Sequence, residues 1–213
     1  NLQRESVELL RDLAAQGQLP QARLEKSLKR INALTLGRLK NAAPSAQAAR
    51  ALSRKVASAA IEVIREGELS LPLKPNGRPP LILLPDFKEV QDRFTFEGGP
   101  LAPERFVREA CRAWGTARFW RAPVQTQDTK GLLKAVRQAP RIVFFCFEAM
   151  RFPGQQAVLD LLNKEAPNKT VACLIRGSWD RRRLDRRMTA VDAYGYRLCQ
   201  LEAAFKTIFK GAL

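Results

Sequence analysis

Histidine is absent from this 213-residue chain, and that single absence removes several chemistries. Without imidazole the chain supplies no Ser-His-Asp or Cys-His relay, no His-containing zinc site and no unperturbed side chain that changes charge near neutrality. Cysteine is scarce: four thiols, at positions 111, 146, 173 and 199, form no CxxC pair and no metal-ligand spacing. Each lies in an apolar run, so reduced core thiols are expected, with disulfide pairing as the other reading. Long hydrophobic runs are missing too, so neither a bilayer span nor a signal-peptide core is present in this stretch. The loop after the apolar run at 81–85 continues as DFKEV with no glycine cradle, and Gly98-Gly99 is followed by no Lys-Ser/Thr. Both observations argue against a dinucleotide or nucleoside-triphosphate site. Acidic residues are the last shortage. Twenty-one Asp and Glu face thirty-seven Lys and Arg, a formal net charge of +16. The resulting field favours nucleic acid, acidic lipid, an anionic polymer or an acidic partner. The aromatics do not fall in the spaced pattern of a base-stacking platform, which counts against nucleic acid.

What is present fits a globular protein: 46% hydrophobic and 27% charged residues suffice for a proper core. The chain opens with Asn1 and reads as a piece whose upstream part lies elsewhere. Leu2, Val7, Leu9, Leu10, Leu13 and Ala14 recur at helical spacing up to Gly17. Pro20 opens a second helix, with Leu24, Leu28, Ile31, Leu34 and Thr35 on one face. These stripes suit either a helical hairpin packed on the following domain or the tail of a larger, absent one. After a linker at 41–44, Ser45 caps a helix expected to run to Arg65, with Gly67 ending it. The stretch 68–80, with its LSLPL, reads as extended chain running into turns.

From there strands and helices alternate. Apolar runs at 81–84, 117–121, 141–147 and 170–175 read as strands covered on both faces. Helical stretches fall at 103–114, 127–138, 154–164 and 198–209, with a short extended piece near Val191. This order predicts an α/β fold, a three-layer α/β/α sandwich with a mostly parallel sheet, preceded by two or three helices. The expected organisation is 1–40 as a helical pair, 41–80 as linking helix and connector, and 81–213 as the sandwich.

Parallel sheets place ligands at the carboxyl ends of their strands. The candidate binding residues are therefore Glu148 and Arg151 after the third run, and Arg176, Trp179 and Asp180 after the fourth. Glu148 reads either as a site carboxylate or as a salt-bridged surface group. The stretch 176–187 is the densest basic cluster, either a solvated face balanced by Asp180 and Asp185 or a polyanion contact with Trp179 as a stacking ring.

The ordered set LSRKVASAAIEVIREG, LSLPL, RIVFFCFEAMRFPGQQAVLDLL, TVACLIRGSWD and VDAYGYRLCQLEAAFKTIFKG resembles the carboxy-terminal α/β sandwich of family 3 glycoside hydrolases, most of all the bacterial β-N-acetylglucosaminidase (β-N-acetylhexosaminidase) branch. The resemblance covers nearly the whole chain, and LAAQGQLPQARLEKSLKRINAL resembles the last helices of the catalytic (β/α)8 barrel. It implies a retaining hydrolase of terminal β-linked N-acetylhexosamine, with peptidoglycan fragments as the expected source. It also implies a nucleophilic Asp on the barrel, and no residue of this chain matches that motif. In the β-glucosidase branch the acid/base Glu occupies a long loop before the Pro-Gly-Gln turn. Here that loop shrinks to 149–152, and Glu148 is not carried over. In the glucosaminidase branch the proton donor is a barrel His, in keeping with a His-free sandwich. Arg176 and Asp180 match the ends of the family's Arg-Asn-Pro-Tyr-Asp-like turn, where Asp180 is expected to accept backbone hydrogen bonds and lock the turn. Tyr194 and Tyr196 are expected to pack. The reading is a non-catalytic domain with no catalytic residue, metal or cofactor of its own, whose partners are the missing barrel and a carbohydrate or anionic cell-wall polymer. The alternative is a standalone basic module for a polyanion or partner protein.

Overall fold

The computed structural model describes residues 2–39, 45–74, 78–90 and 118–209. The linker at 41–44, the Gly98-Gly99 turn, the helix expected at 103–114 and Cys111 lie outside the described residues. The chain divides into two units, 1–49 and 50–213.

The first unit carries α1 (Leu2–Ala15) and α2 (Gln21–Leu39). Gly17 stops α1 as expected. It adopts φ 72°, a conformation open to glycine without a Cβ penalty, and the Gln18 N–H returns to the Leu13 carbonyl at 3.0 Å. The Pro20 carbonyl accepts from Arg23 and Leu24 at the start of α2. Val7, Leu9 and Leu10 on α1 and Leu28, Ile31 and Leu34 on α2 are exposed.

In the second unit α3 (Ala46–Ala60, its first turn in the preceding unit) leads into a sheet of β1 (Glu62–Arg65), β2 (Leu81–Pro85), β3 (Arg118–Ala122), β4 (Ile142–Cys146), β5 (Thr170–Leu174) and β6 (Thr189–Asp192). The spatial order is β1-β6-β5-β4-β2-β3, parallel except for β1, which runs antiparallel to β6. The helices are α4 (Leu132–Gln138), α5 (Pro153–Glu165) and α6 (Leu198–Ile208). Alternation along the strands splits the core in two. Ile82, Val143, Phe145, Val171, Cys173 and Val191 pack against Leu201, Phe205 and Ile208 of α6. Leu83, Ile142, Phe144, Ala172, Leu174 and Ala190 pack against Leu132 and Val136 of α4 and Val158, Leu159 and Leu162 of α5. The result is the expected three-layer α/β/α sandwich with a mostly parallel sheet. Cys146 and Cys173 are buried free thiols, and Cys199 is partly buried and free. Burial pushes the Cys146 and Cys173 thiols up, as expected for inert core sulfur.

Two boundaries differ from the sequence reading. Ser45 does cap α3, its Oγ accepting the Ala48 N–H at 3.2 Å, but the helix ends at Ala60 rather than Arg65. Val63 continues the helical apolar spacing and equally suits a strand; pairing with Val191 decides for the strand. Gly67 therefore does not end a helix. It lies against the backbone of Arg187, Met188 and Thr189, where a Cβ would collide. Its N–H donates to Thr189 Oγ1 at 3.1 Å. The helix expected from 127 begins at Leu132, because Asp128 accepts the Lys130 N–H at 2.9 Å in a turn and Gly131 takes φ 80°.

Candidate functional site at the carboxyl ends of the sheet

Six residues, 147–152, connect β4 to α5. Glu148 occupies them at φ 47°, one of two non-glycine residues with positive φ among the described residues. Its carbonyl accepts the N–H groups of Arg151 at 2.8 Å and Phe152 at 2.9 Å, which explains the tight conformation. Its carboxylate lies 3.3 Å from the Arg176 guanidinium and 3.9 Å from that of Arg151. Arg176 also sits 5.4 Å from the Phe147 ring centroid, and Arg151 sits 5.8 Å from that of Phe152. The structure thus joins Glu148, Arg151 and Arg176 in one ion-paired cluster on aromatic faces.

Asp180 is 2% exposed, inside the short 3-10 helix Ser178–Arg182. Its two carboxylate oxygens accept the N–H groups of Ala149 and Met150, each at 2.9 Å, and the Cys146 thiol approaches at 3.5 Å. The expected backbone hydrogen bonds exist, with one difference: the side chain locks the loop after β4 rather than its own turn. Trp179, one residue before, is 70% exposed.

Three further groups shape this end of the sheet. Gln155 is fully buried; its Oε1 accepts the Phe147 N–H at 3.0 Å, and its Nε2 donates to the Pro123 carbonyl at 2.8 Å. The Pro-Gly-Gln triplet marked this place in the sequence. Gly154 rests on the Pro123 and Thr126 carbonyls with no room for a Cβ. Glu89 offers Oε2 to three successive N–H groups, of Val124, Gln125 and Thr126, at 3.1, 2.6 and 3.4 Å. No spacing rule marks Glu89, because the contact spans thirty-five residues or more.

Asp192 closes β6, cross-strand from Glu62 of β1. It is buried; Oδ1 accepts the Tyr194 N–H at 2.9 Å, and Oδ2 has no hydrogen-bond partner. Burial raises its carboxyl above the ordinary range, and Glu62 adds to this; the Tyr194 N–H and Arg181 oppose it. Tyr194 has φ 51° and is 50% exposed, its hydroxyl donating to Glu62 Oε2 at 2.8 Å. Tyr196 packs on Phe87 and Phe147 at 5.9 and 5.7 Å between ring centroids. Tyr196 is the packing residue expected, whereas Tyr194 is held at the surface.

At this end Asp180 and the Glu89 Oε2 accept backbone N–H groups and Glu148 pairs with arginines, while Asp192 Oδ2 has no hydrogen-bond partner.

No family model matches the sequence, and no curated protein does. Solved structures do match in fold. A fungal multi-domain β-N-acetylglucosaminidase of family 3, described as bearing a GCN5-related glucosamine N-acetyltransferase region, aligns over 99% of this chain with TM-score 0.64 and 18% identity. A family 3 β-N-acetylglucosaminidase from Paenibacillus sp. aligns over 95% with TM-score 0.59 and 18% identity. A family 3 β-glucosidase from Bifidobacterium adolescentis aligns over 96% with TM-score 0.54 and 13% identity. The fold is that of the carboxy-terminal sandwich of family 3 glycoside hydrolases. The chain spans 24%, 40% and 34% of those three proteins respectively. No described helix is long and apolar enough to cross a membrane.

Proposed function

We propose that this chain is the non-catalytic sandwich of a β-N-acetylglucosaminidase-like hydrolase of family 3, with residues 1–40 as the final helices of its catalytic barrel and 41–80 as the link. The parent reaction is hydrolysis of terminal β-linked N-acetylhexosamine, and peptidoglycan fragments are its proposed source. The alignment over 99% of the chain, helical pair included, onto 24% of a β-N-acetylglucosaminidase carries this reading. The exposed apolar stripes of α1 and α2 support it, since such stripes belong against a further layer of protein. The ion-paired Glu148 and the backbone-bonded Asp180 are in keeping with a structural role for this end of the sheet. Glu148, Arg151, Arg176 and Asp180 then act by rigidifying the loops that border the barrel. The test is an aryl β-N-acetylglucosaminide assay. The 213-residue chain is expected to give no turnover, and a polypeptide with a family 3 barrel ahead of Asn1 is expected to give turnover. Hydrolysis by the chain alone, or an upstream sequence without a barrel, overturns the proposal.

A further inference from the structure

The two ends of β1 are held differently. At the Arg65 end the guanidinium donates from Nε to the Met188 carbonyl at 3.1 Å and from Nη2 to the Asp185 carbonyl at 2.9 Å. The chain beyond it stays bound, with the Gly67 N–H on Thr189 Oγ1 at 3.1 Å and the Glu68 N–H on the Arg187 carbonyl at 2.9 Å. At the Glu62 end the strand meets a carboxyl group instead. Glu62 and Asp192 are register partners in the antiparallel pair, and directly opposite residues share a face with Cβ atoms about 4.5–5.5 Å apart. Asp192 is buried and its Oδ2 has no hydrogen-bond partner, so that oxygen is reached by neither water nor a donor. Between the two ends the register slips from Val63 to Arg65, a bulge that interrupts the ladder. No residue of β1 is buried, and β6 is its one strand neighbour among the described residues. The groups facing Asp192 come from β1, β5, the 3-10 helix Ser178–Arg182 and the loop after β6. Glu62 is the like charge, and Cys173 of β5 is a buried thiol that burial and Asp192 push up. Arg181 is an exposed opposing cation, while Tyr194 gives its N–H to Asp192 Oδ1 and its hydroxyl to Glu62 Oε2.

We propose that Asp192 and Glu62 form a pH-operated latch on β1: with a proton on Asp192 the Glu62 end of the strand stays closed on β6, and without it that end opens about the bulge while the Arg65 end stays bound. A proton on Oδ2 turns an acceptor without a partner into a donor towards the cross-strand carboxylate. Its loss leaves two like charges directly opposite each other, which destabilises a strand pair. Arg181 opposes this from an exposed position, where water screens it. Burial, and Glu62 after it, hold the Asp192 carboxyl above the ordinary Asp range, so the closed strand binds the proton more tightly than the open one. The closed form is therefore favoured at low pH and lost as pH rises through the raised value. Because α3 ends one residue before β1, the latch sets how firmly the chain ahead of the sheet is held. It stands independently of the hydrolase reading, since it requires no barrel.

Hydrogen exchange of the 213-residue chain from pH 4 to pH 8, corrected for the intrinsic rate, reads such an opening. The protected amides of residues 62–64 are expected to exchange more readily than those of β4 at every pH, because they open without global unfolding. Their protection should fall at least about threefold as pH rises, the effect of about half a pKa unit. Asp192→Asn should abolish that fall and Glu62→Gln should lessen it. Glu62 is exposed, so Glu62→Gln keeps the fold and tests the pair even where Asp192→Asn does not fold. Protection at 62–64 that is independent of pH in the wild type overturns the proposal. An undiminished pH dependence in Glu62→Gln also overturns it and assigns the effect to the burial of Asp192 alone. Equal protection at 62–64 and in β4 overturns it as well, since β1 is then released only by unfolding.

Discussion

Asp180 shows how much one buried carboxylate does at this sheet end. It is acceptor for two backbone N–H groups of a different loop, so its loss leaves the buried Ala149 donor and the part-buried Met150 donor without their partner. Asp180→Ala is expected to cost about 3 kcal/mol in urea unfolding, and Asp180→Asn, which keeps one acceptor, roughly half of that. Asp192 works in the opposite sense. Its folded-state pKa lies above the unfolded value, so the folded protein binds more protons in that window. Stability contributed at this position is therefore present below the ordinary Asp range and lost as pH rises through the raised pKa. Asp192→Asn should remove that loss. The difference in melting temperature, variant minus wild type, is expected to increase from pH 4 to pH 8, and a difference independent of pH would contradict the burial argument. These roles were only partly legible beforehand. Asp180 was readable as a backbone acceptor from its place at the end of the turn. The loop it holds, and the orphaned oxygen of Asp192, depend on which strands are neighbours.

At the scale of elements, the parallel strands were legible because double-sided burial writes itself as continuous apolar runs: LILL, IVFFC and TVACL all became central strands. β1 was not, because a short edge strand with no buried residue shares its apolar spacing with the end of a helix, and only pairing with β6 separates the two. Gly67 belongs to this junction. Gly67→Ala places a methyl group into the backbone of residues 187–189, which cannot rotate away. A loss of about 2–3 kcal/mol is expected from overpacking, read as a lower denaturation midpoint; a neutral substitution would show that β1 yields easily. The 3-10 helix after β5 is the other element that sequence left ambiguous. Its helical phase, with Asp180 inward and Trp179 outward, turns an undifferentiated basic run into paired and unpaired arginines.

Considered as a whole, the molecule holds its two buried clusters entirely within residues 73–209. A chain beginning at Ser45 is therefore expected to unfold cooperatively within about 0.5 kcal/mol of the full chain, since no residue of 1–44 belongs to either cluster; a large loss would mean that α1 and α2 contribute to the sandwich core. Composition by itself determined the absence of imidazole chemistry, the positive field and the alternation of covered strands and helices, because each follows from residue counts or local periodicity. Tertiary structure alone decided which charges cancel. The pairings of Glu148 with Arg176 and Asp160 with Arg183, and the capture of 124–126 by Glu89, join positions about twenty to thirty-five residues apart. Electrostatic energy depends on distance in space and on burial, and a linear sequence specifies neither until the sheet order β1-β6-β5-β4-β2-β3 brings those loops to one edge.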